Sequence, residues 1–156
     1  MNSKLFNNKE CICTCEFNYS KKFSYILYSQ GHSEEALTAF REKVRSSLCN
    51  ERGEFVYIYF LEDKVIEITK TDNFAYIGKS KSIRQKTFER FMHEVYEDNS
   101  GNDNAKQHTL THFYEKGIKM RLEVFFVEDC GKVEKELLHA HKITFGYLPI
   151  ANGKNG

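Results

Sequence analysis

Two apolar segments in close succession, FVYIYFL and FAYIG, constrain the fold of this chain more than any other part of it. Both lie within Glu54 to Arg90, EFVYIYFLEDKVIEITKTDNFAYIGKSKSIRQKTFER. Each alternates with period two, which sets Val56, Ile58 and Phe60 on one side of a strand and Tyr57, Tyr59 and Leu61 on the other. In the second segment Ala75 and Ile77 fall opposite Tyr76 and Gly78. Each strand is expected to bury a small aliphatic face and present tyrosine on its other side, until Gly78-Lys79-Ser80 breaks the second strand and a helix begins.

The chain before this stretch reads as a β-β-α unit. Residues 1–9 are polar and expected to fray. Cys11 to Phe17 (CICTCEF) and Phe23 to Tyr28 (FSYILY) form a hairpin turned by Asn18 to Lys22. Cys11, Cys13 and Cys15 would then share one strand face. Same-face positions on a strand stand about 7 Å apart, too far for three sulfurs to meet one tetrahedral ion without a bend, so small buried hydrophobes are the preferred reading over a zinc site. Ser33 precedes Glu34-Glu35 as a helix cap, and Leu37, Phe40, Val44 and Leu48 follow as one apolar stripe. CNERGE, residues 49–54, is a connector with a glycine turn.

After the central stretch, a helix from about Ser82 to Glu97 carries Phe88, Phe91, Met92 and Val95 inward, and DNSGND at 98–103 is a loop. A second helix is expected over Asn104 to Glu115, closed by Lys116-Gly117. A strand then covers Ile118 to Glu128, and a last helix runs from an Asp129 cap through Phe145 to Gly146. The order strand, strand, helix, helix, strand, helix predicts an α+β fold, a three-stranded antiparallel sheet flanked by helices. The division expected is an accessory segment at 1–53 and a core domain at 54–156.

A tyrosine-bearing strand, then YIGKSKSIR, then a basic helix together resemble the GIY-YIG nuclease domain over roughly residues 54–153. Phe55 stands where that family has its first glycine, giving Phe55-Val56-Tyr57, and the gap between the two tyrosines is longer than usual. The resemblance implies a Mg²⁺-dependent hydrolysis of DNA phosphodiester bonds, with Mn²⁺ or another divalent cation as a substitute. Among small stand-alone members it points to a site-specific, restriction-type endonuclease.

Composition leaves this reading open without favouring it. A chain of 156 residues suits one domain with a core, and a formal net charge of +1 exerts no global pull on nucleic acid. Phosphate binding must come from a local patch, and Lys79, Lys81, Arg84, Lys86 and Arg90 supply it; a plain solvated helix face is the ordinary alternative. No apolar run reaches membrane-spanning length and no signal pattern opens the chain, so a cytoplasmic location is expected, with the five cysteines reduced.

Glu134 carries the metal chemistry in this reading. At about 100° per residue it falls between Leu137 and Leu138 in projection, within the face that meets the sheet, where a carboxylate needs a cation or donor beside it. Glu134-Lys135-Glu136-Leu137-Leu138 also has the spacing of the resembled family's metal-binding glutamate, and a single carboxylate suits Mg²⁺. Tyr57 and Tyr76 would hold or deprotonate the water, with Lys79 beside them lowering a tyrosine's pKa. The family's arginine lies eight residues after the YIG glycine, where this chain has Lys86; Arg84, by its inward projection, and Arg90, near His93, are the substitutes. Lys81, Lys86, His93 and Asn152 of LPIANG are assigned to the substrate. Cutting both strands of a double-stranded site would call for a two-fold homodimer. The alternatives are a catalytically inactive nucleic-acid-binding module with the same fold, favoured by Phe55 and the missing arginine, and a protein whose basic helix meets an acidic partner.

Overall fold

A computed structural model describes residues 6–28, 33–62, 73–82 and 105–152. Over these residues the chain is α+β, with six strands and three helices: β1 (Asn8–Ile12), β2 (Cys15–Tyr19), β3 (Lys22–Leu27), α1 (Glu34–Leu48), β4 (Glu54–Leu61), β5 (Phe74–Ser80), α2 (Ala105–Glu115), β6 (Met120–Val127), α3 (Cys130–Phe145), and a closing 3₁₀ turn at Ile150–Asn152. β1 and β2 form a two-stranded sheet, and the other four strands form an antiparallel sheet in the order β3-β6-β4-β5.

The sheet is buried on both faces because its two inner strands are apolar on both. From β4, Phe55, Tyr57, Tyr59 and Leu61 enter one core cluster while Val56, Ile58 and Phe60 enter the other. β6 sends Met120, Leu122, Val124 and Phe126 to the first and Phe125 and Val127 to the second. The first cluster is closed by the α1 stripe Leu37, Phe40, Val44 and Leu48 with Leu110, Phe113 and Tyr114 of α2. The second is closed by Cys130, Val133, Leu137 and Ala140 of α3 with Ile12, Cys15 and Phe17 of the hairpin. The expected division of β4 into a buried aliphatic face and a presented tyrosine face therefore gives way to burial on both sides. The faces themselves are divided as the alternation requires.

Helix ends follow local chemistry. The Ser33 hydroxyl accepts from the Ala36 amide at 3.2 Å, and Tyr114 donates its hydroxyl to the Ser33 carbonyl, which ties α2 to the start of α1. Asp129 caps α3, and Gly117 and Gly146 (φ 76° and 89°) take the left-handed conformation past α2 and α3.

The N-terminal region departs most from expectation. β1 begins at Asn8, inside the stretch expected to fray, and the hairpin turns at Cys13-Thr14 rather than at Asn18 to Lys22. Cys13 adopts φ 57° there, as a two-residue hairpin loop demands. Cys11 is exposed on β1 and Cys15 buried on β2, so the three sulfurs do not share a strand face. β3 pairs with β6 in place of the hairpin, which makes the main sheet four-stranded instead of three-stranded. Lys22, on β3, reaches Glu10 of β1 and Glu123 of β6 (3.8 Å each), and Arg121 joins Glu123 (3.0 Å) to Glu62, a charged chain across the sheet. The helix expected from about Ser82 to Glu97 and the loop at 98–103 lie outside the described residues. Among the described residues no helix is long and apolar enough to cross a membrane.

Leu122, 1% exposed at the middle of β6, is the position where truncation tests this architecture. Leu122→Ala is expected to cost about 2–5 kcal/mol in guanidinium denaturation, whereas Ile26→Thr, on the exposed side of the edge strand, should stay within about 0.5 kcal/mol.

Candidate active site

The second half of β5 is where the chain brings its chemical groups together. Tyr59 pairs with Tyr76 and Phe60 with Phe74, so Ala75 has no partner on β4 and forms a bulge. The bulge turns both Ala75 and Tyr76 toward the first core cluster. Two residues on, Gly78 lies opposite Tyr57. The Tyr57 and Tyr76 rings stand 6.0 Å apart at 45°, and both cover Gly78. A Cβ on Gly78 would be 2.6 Å from Tyr57 Cζ, 2.7 Å from its hydroxyl and 2.7 Å from Tyr76 Cε2. Tyr57 is 3% exposed and boxed in by Phe55 and Tyr59, so its ring cannot step aside. Glycine is required at 78 by this close approach, and it sits inside the strand, which runs to Ser80; the break expected at Gly78-Lys79-Ser80 does not occur.

The next residue points the other way. Lys79, opposite Val56, extends toward α3, where its ammonium stands 3.6 Å from Glu134 Oε1. It also lies over the first turn of that helix, since a Cβ on Gly131 would be 3.7 Å from the same nitrogen. Lys79 is thus the cation that the carboxylate within the α3 stripe required. Two further carboxylates hold the helix start: Asp129 Oδ1 accepts from the Lys132 amide (3.1 Å), and Glu54 Oε1, from the first residue of β4, accepts from the Cys130 amide (2.8 Å). Burial, followed by the hydrogen bond and negative charge of Glu54, pushes the Cys130 thiol up to about 11 against the opposing pull of Lys79 and Lys81.

Asn152 closes the same segment from its open edge. Its Oδ1 accepts from the Ile77 amide (3.0 Å) and its Nδ2 donates to the Ile77 carbonyl (2.9 Å), so the side chain pairs with edge strand β5 as a neighbouring strand would. The residue assigned to substrate is engaged at both ends of its amide with the backbone between Tyr76 and Gly78.

Of the residues singled out in the sequence, Tyr57, Tyr76, Lys79, Glu134 and Asn152 therefore converge on residues 76–79, and Lys81 follows, exposed. They do so on two faces. The tyrosines belong to the cluster under α1 and α2, whereas Lys79 and Glu134 lie on the α3 side. Arg84, Lys86, Arg90 and His93 lie outside the described residues. His141 is a core residue, fully buried with Nδ1 2.6 Å from the Tyr147 carbonyl. Among the described residues no three His, Cys, Asp or Glu side chains group as a metal cage. Glu134, its side chain 19% exposed and paired with Lys79, instead fits the single-carboxylate attachment of a largely hydrated Mg²⁺. Cavities of about 570 and 230 Å3 open on the other side of α3, beside Glu136 and the hairpin. Sequence reasoning missed Glu54 and Cys130; the only signal was that Cys130 precedes Glu134 by one helical turn.

Gly78→Ala is expected to destabilise the protein by roughly 1–3 kcal/mol in urea denaturation. Adding Tyr57→Phe should not restore it, because ring carbon as well as hydroxyl blocks the methyl. A second expectation concerns pH. Cys130 is raised from 9.0 to about 11, and burial raises Cys15 and Tyr25 as well. The folded state thus favours the protonated thiol, and the stability it contributes is complete below pH 9 and lost as pH rises through about 11. The urea midpoint should fall across that window, and less steeply in Cys130→Ala.

Comparison of the chain with family models, with curated proteins and with solved structures found no match.

Proposed function

We propose that this protein is a metal-dependent endonuclease that hydrolyses DNA phosphodiester bonds, a site-specific restriction-type enzyme with a GIY-YIG-like core. The observation that carries the reading is the 3.6 Å pairing of Lys79, from YIGK, with Glu134 of the last helix. It stands one residue from the glycine on which both motif tyrosines rest. Lys79 and Glu134, named by one motif resemblance from distant parts of the sequence, thus adjoin each other, while the motif tyrosines rest on the opposite face of the same strand.

In this reading Glu134 is the ligand of Mg²⁺ or Mn²⁺. The ion, when bound, supplies positive charge against the phosphate and lowers the pKa of an attacking water. The chain's own residues do the rest. Lys79 offers a cation to the charge that develops on the phosphate. Tyr57 and Tyr76, on the opposite face of the sheet from Glu134, rest on Gly78 and hold the strand on which Lys79 stands. Lys81, with Arg84, Lys86, Arg90 and His93, contacts the DNA backbone. A palindromic duplex would be cut by a two-fold dimer.

One observation favours a second reading, a nucleic-acid-binding module without cleavage. Phe55, in place of the family's glycine, is fully buried and packs on Tyr57 and Phe126 with ring centroids 6.1 and 5.3 Å away, which helps keep Tyr57 inside the core.

Supercoiled plasmid DNA incubated with the protein and Mg²⁺ separates the two. The endonuclease reading expects nicking or linearisation that needs the metal and falls roughly 10²–10³-fold or more in Glu134→Ala. Retention of DNA on a gel with no cutting under any divalent metal would favour the binding module.

A further inference from the structure

We propose that Glu54 is a positioning residue of this site: its carboxylate, at the start of β4, holds the first turn of α3 so that Glu134 stands beside Lys79. This rests on the reading of the Lys79–Glu134 pair as the seat of cleavage. The amide of Cys130 is one of the helix-start donors that has no partner within α3, and the helix's own cap, Asp129, is engaged with Lys132 instead. Glu54 Oε1 supplies the missing acceptor at 2.8 Å, a charged hydrogen bond made at the positive end of the helix.

The consequence reaches Glu134 through helix geometry. Cys130 and Glu134 are four residues apart, one above the other on the same side of α3. Fixing the azimuth of the first therefore fixes that of the second. The Cys130 side chain is fully buried in the core beneath that turn, which holds the turn against the sheet. The charges around this turn are Glu54 of β4, Lys79 of β5 with Lys81 just beyond it, Asp129 at the cap of α3 and Glu134 within that helix. Because Glu54 lies three residues before Tyr57, one carboxylate also ties the tyrosine strand to the glutamate helix. Outer residues that orient a metal ligand act through the ligand, so their loss shows first in metal affinity.

The test compares the full chain with Glu54→Ala, Glu54→Gln, Glu134→Ala and Glu54→Ala/Glu134→Ala, each checked for cooperative melting. Plasmid cleavage is titrated with Mg²⁺, and the Glu134 side-chain carbons are followed by NMR. Glu54→Ala should raise the half-saturating Mg²⁺ about 10- to 100-fold while the half-saturating DNA concentration holds. Glu54→Gln, which keeps an acceptor oxygen, should remain within a few-fold of wild type. The double variant should be no slower than Glu134→Ala. In NMR the Glu134 carbons should move in Glu54→Ala and stay in Glu54→Gln. Unmoved Glu134 carbons, an unchanged Mg²⁺ dependence, or a Gln variant as impaired as the Ala variant would each overturn the proposal. A wild type that cuts nothing while the Glu134 carbons still move in Glu54→Ala would leave the clamp standing and sink the nuclease reading.

Discussion

A carboxylate set into the apolar stripe of a helix calls for a cation, and that demand links the last helix to edge strand β5. Glu134 stands among Val133, Leu137 and Ala140, all of which pack into the core beneath α3. Leaving it unpaired there would cost several kcal/mol. Lys79 meets it, but with side chains 43% and 19% exposed the pair is worth about 1 kcal/mol at most. An apolar residue at 134 would serve the fold as well. The pair contributes little to stability, and its place in the proposed function rests on its chemistry.

Besides its pairing with Glu134, Lys79 is held in position by backbone constraints on β5. The tyrosine rings lie on Gly78, the Asn152 amide grips Ile77 from the open edge, and the bulge at Ala75 sets the phase of the strand between them. Each acts on a different residue, and together they specify residues 76–79 from three directions. Rigid strand geometry of this kind suits a site that must keep its groups within fractions of an ångström.

Where the determinants were local, the sequence was a good guide. The Ser33 cap and the stripe Leu37, Phe40, Val44 and Leu48 describe α1 as it is, and Asp129 and Gly146 bound α3 as expected, because caps and periodicity act within a turn or two of helix. Pairings made at long range were not legible. The hairpin turn falls at Cys13-Thr14, which lacks the usual glycine or asparagine, while the more turn-like Asn18 to Lys22 only leads β2 into a strand whose partner lies a hundred residues on, in β6. Burial of β4 on both faces needed knowledge of which helices cover which side. Glycine at 78 read as a strand break because its sequence signal is the same whether it relieves a turn or admits a ring. Of the site, Lys79 and Glu134 came through a motif, and the tasks of Glu54 and Asn152 were hidden because each bonds the backbone of a distant element.

As the metal ligand we propose, Glu134 would exchange the Lys79 ammonium for a divalent cation. Crystals soaked in Mn²⁺ and measured for anomalous scattering test it most directly. The account expects a peak about 2 Å from a Glu134 carboxylate oxygen, with the Lys79 ammonium moved off its 3.6 Å contact. Occupied manganese elsewhere, with the Lys79–Glu134 pair intact, would contradict it.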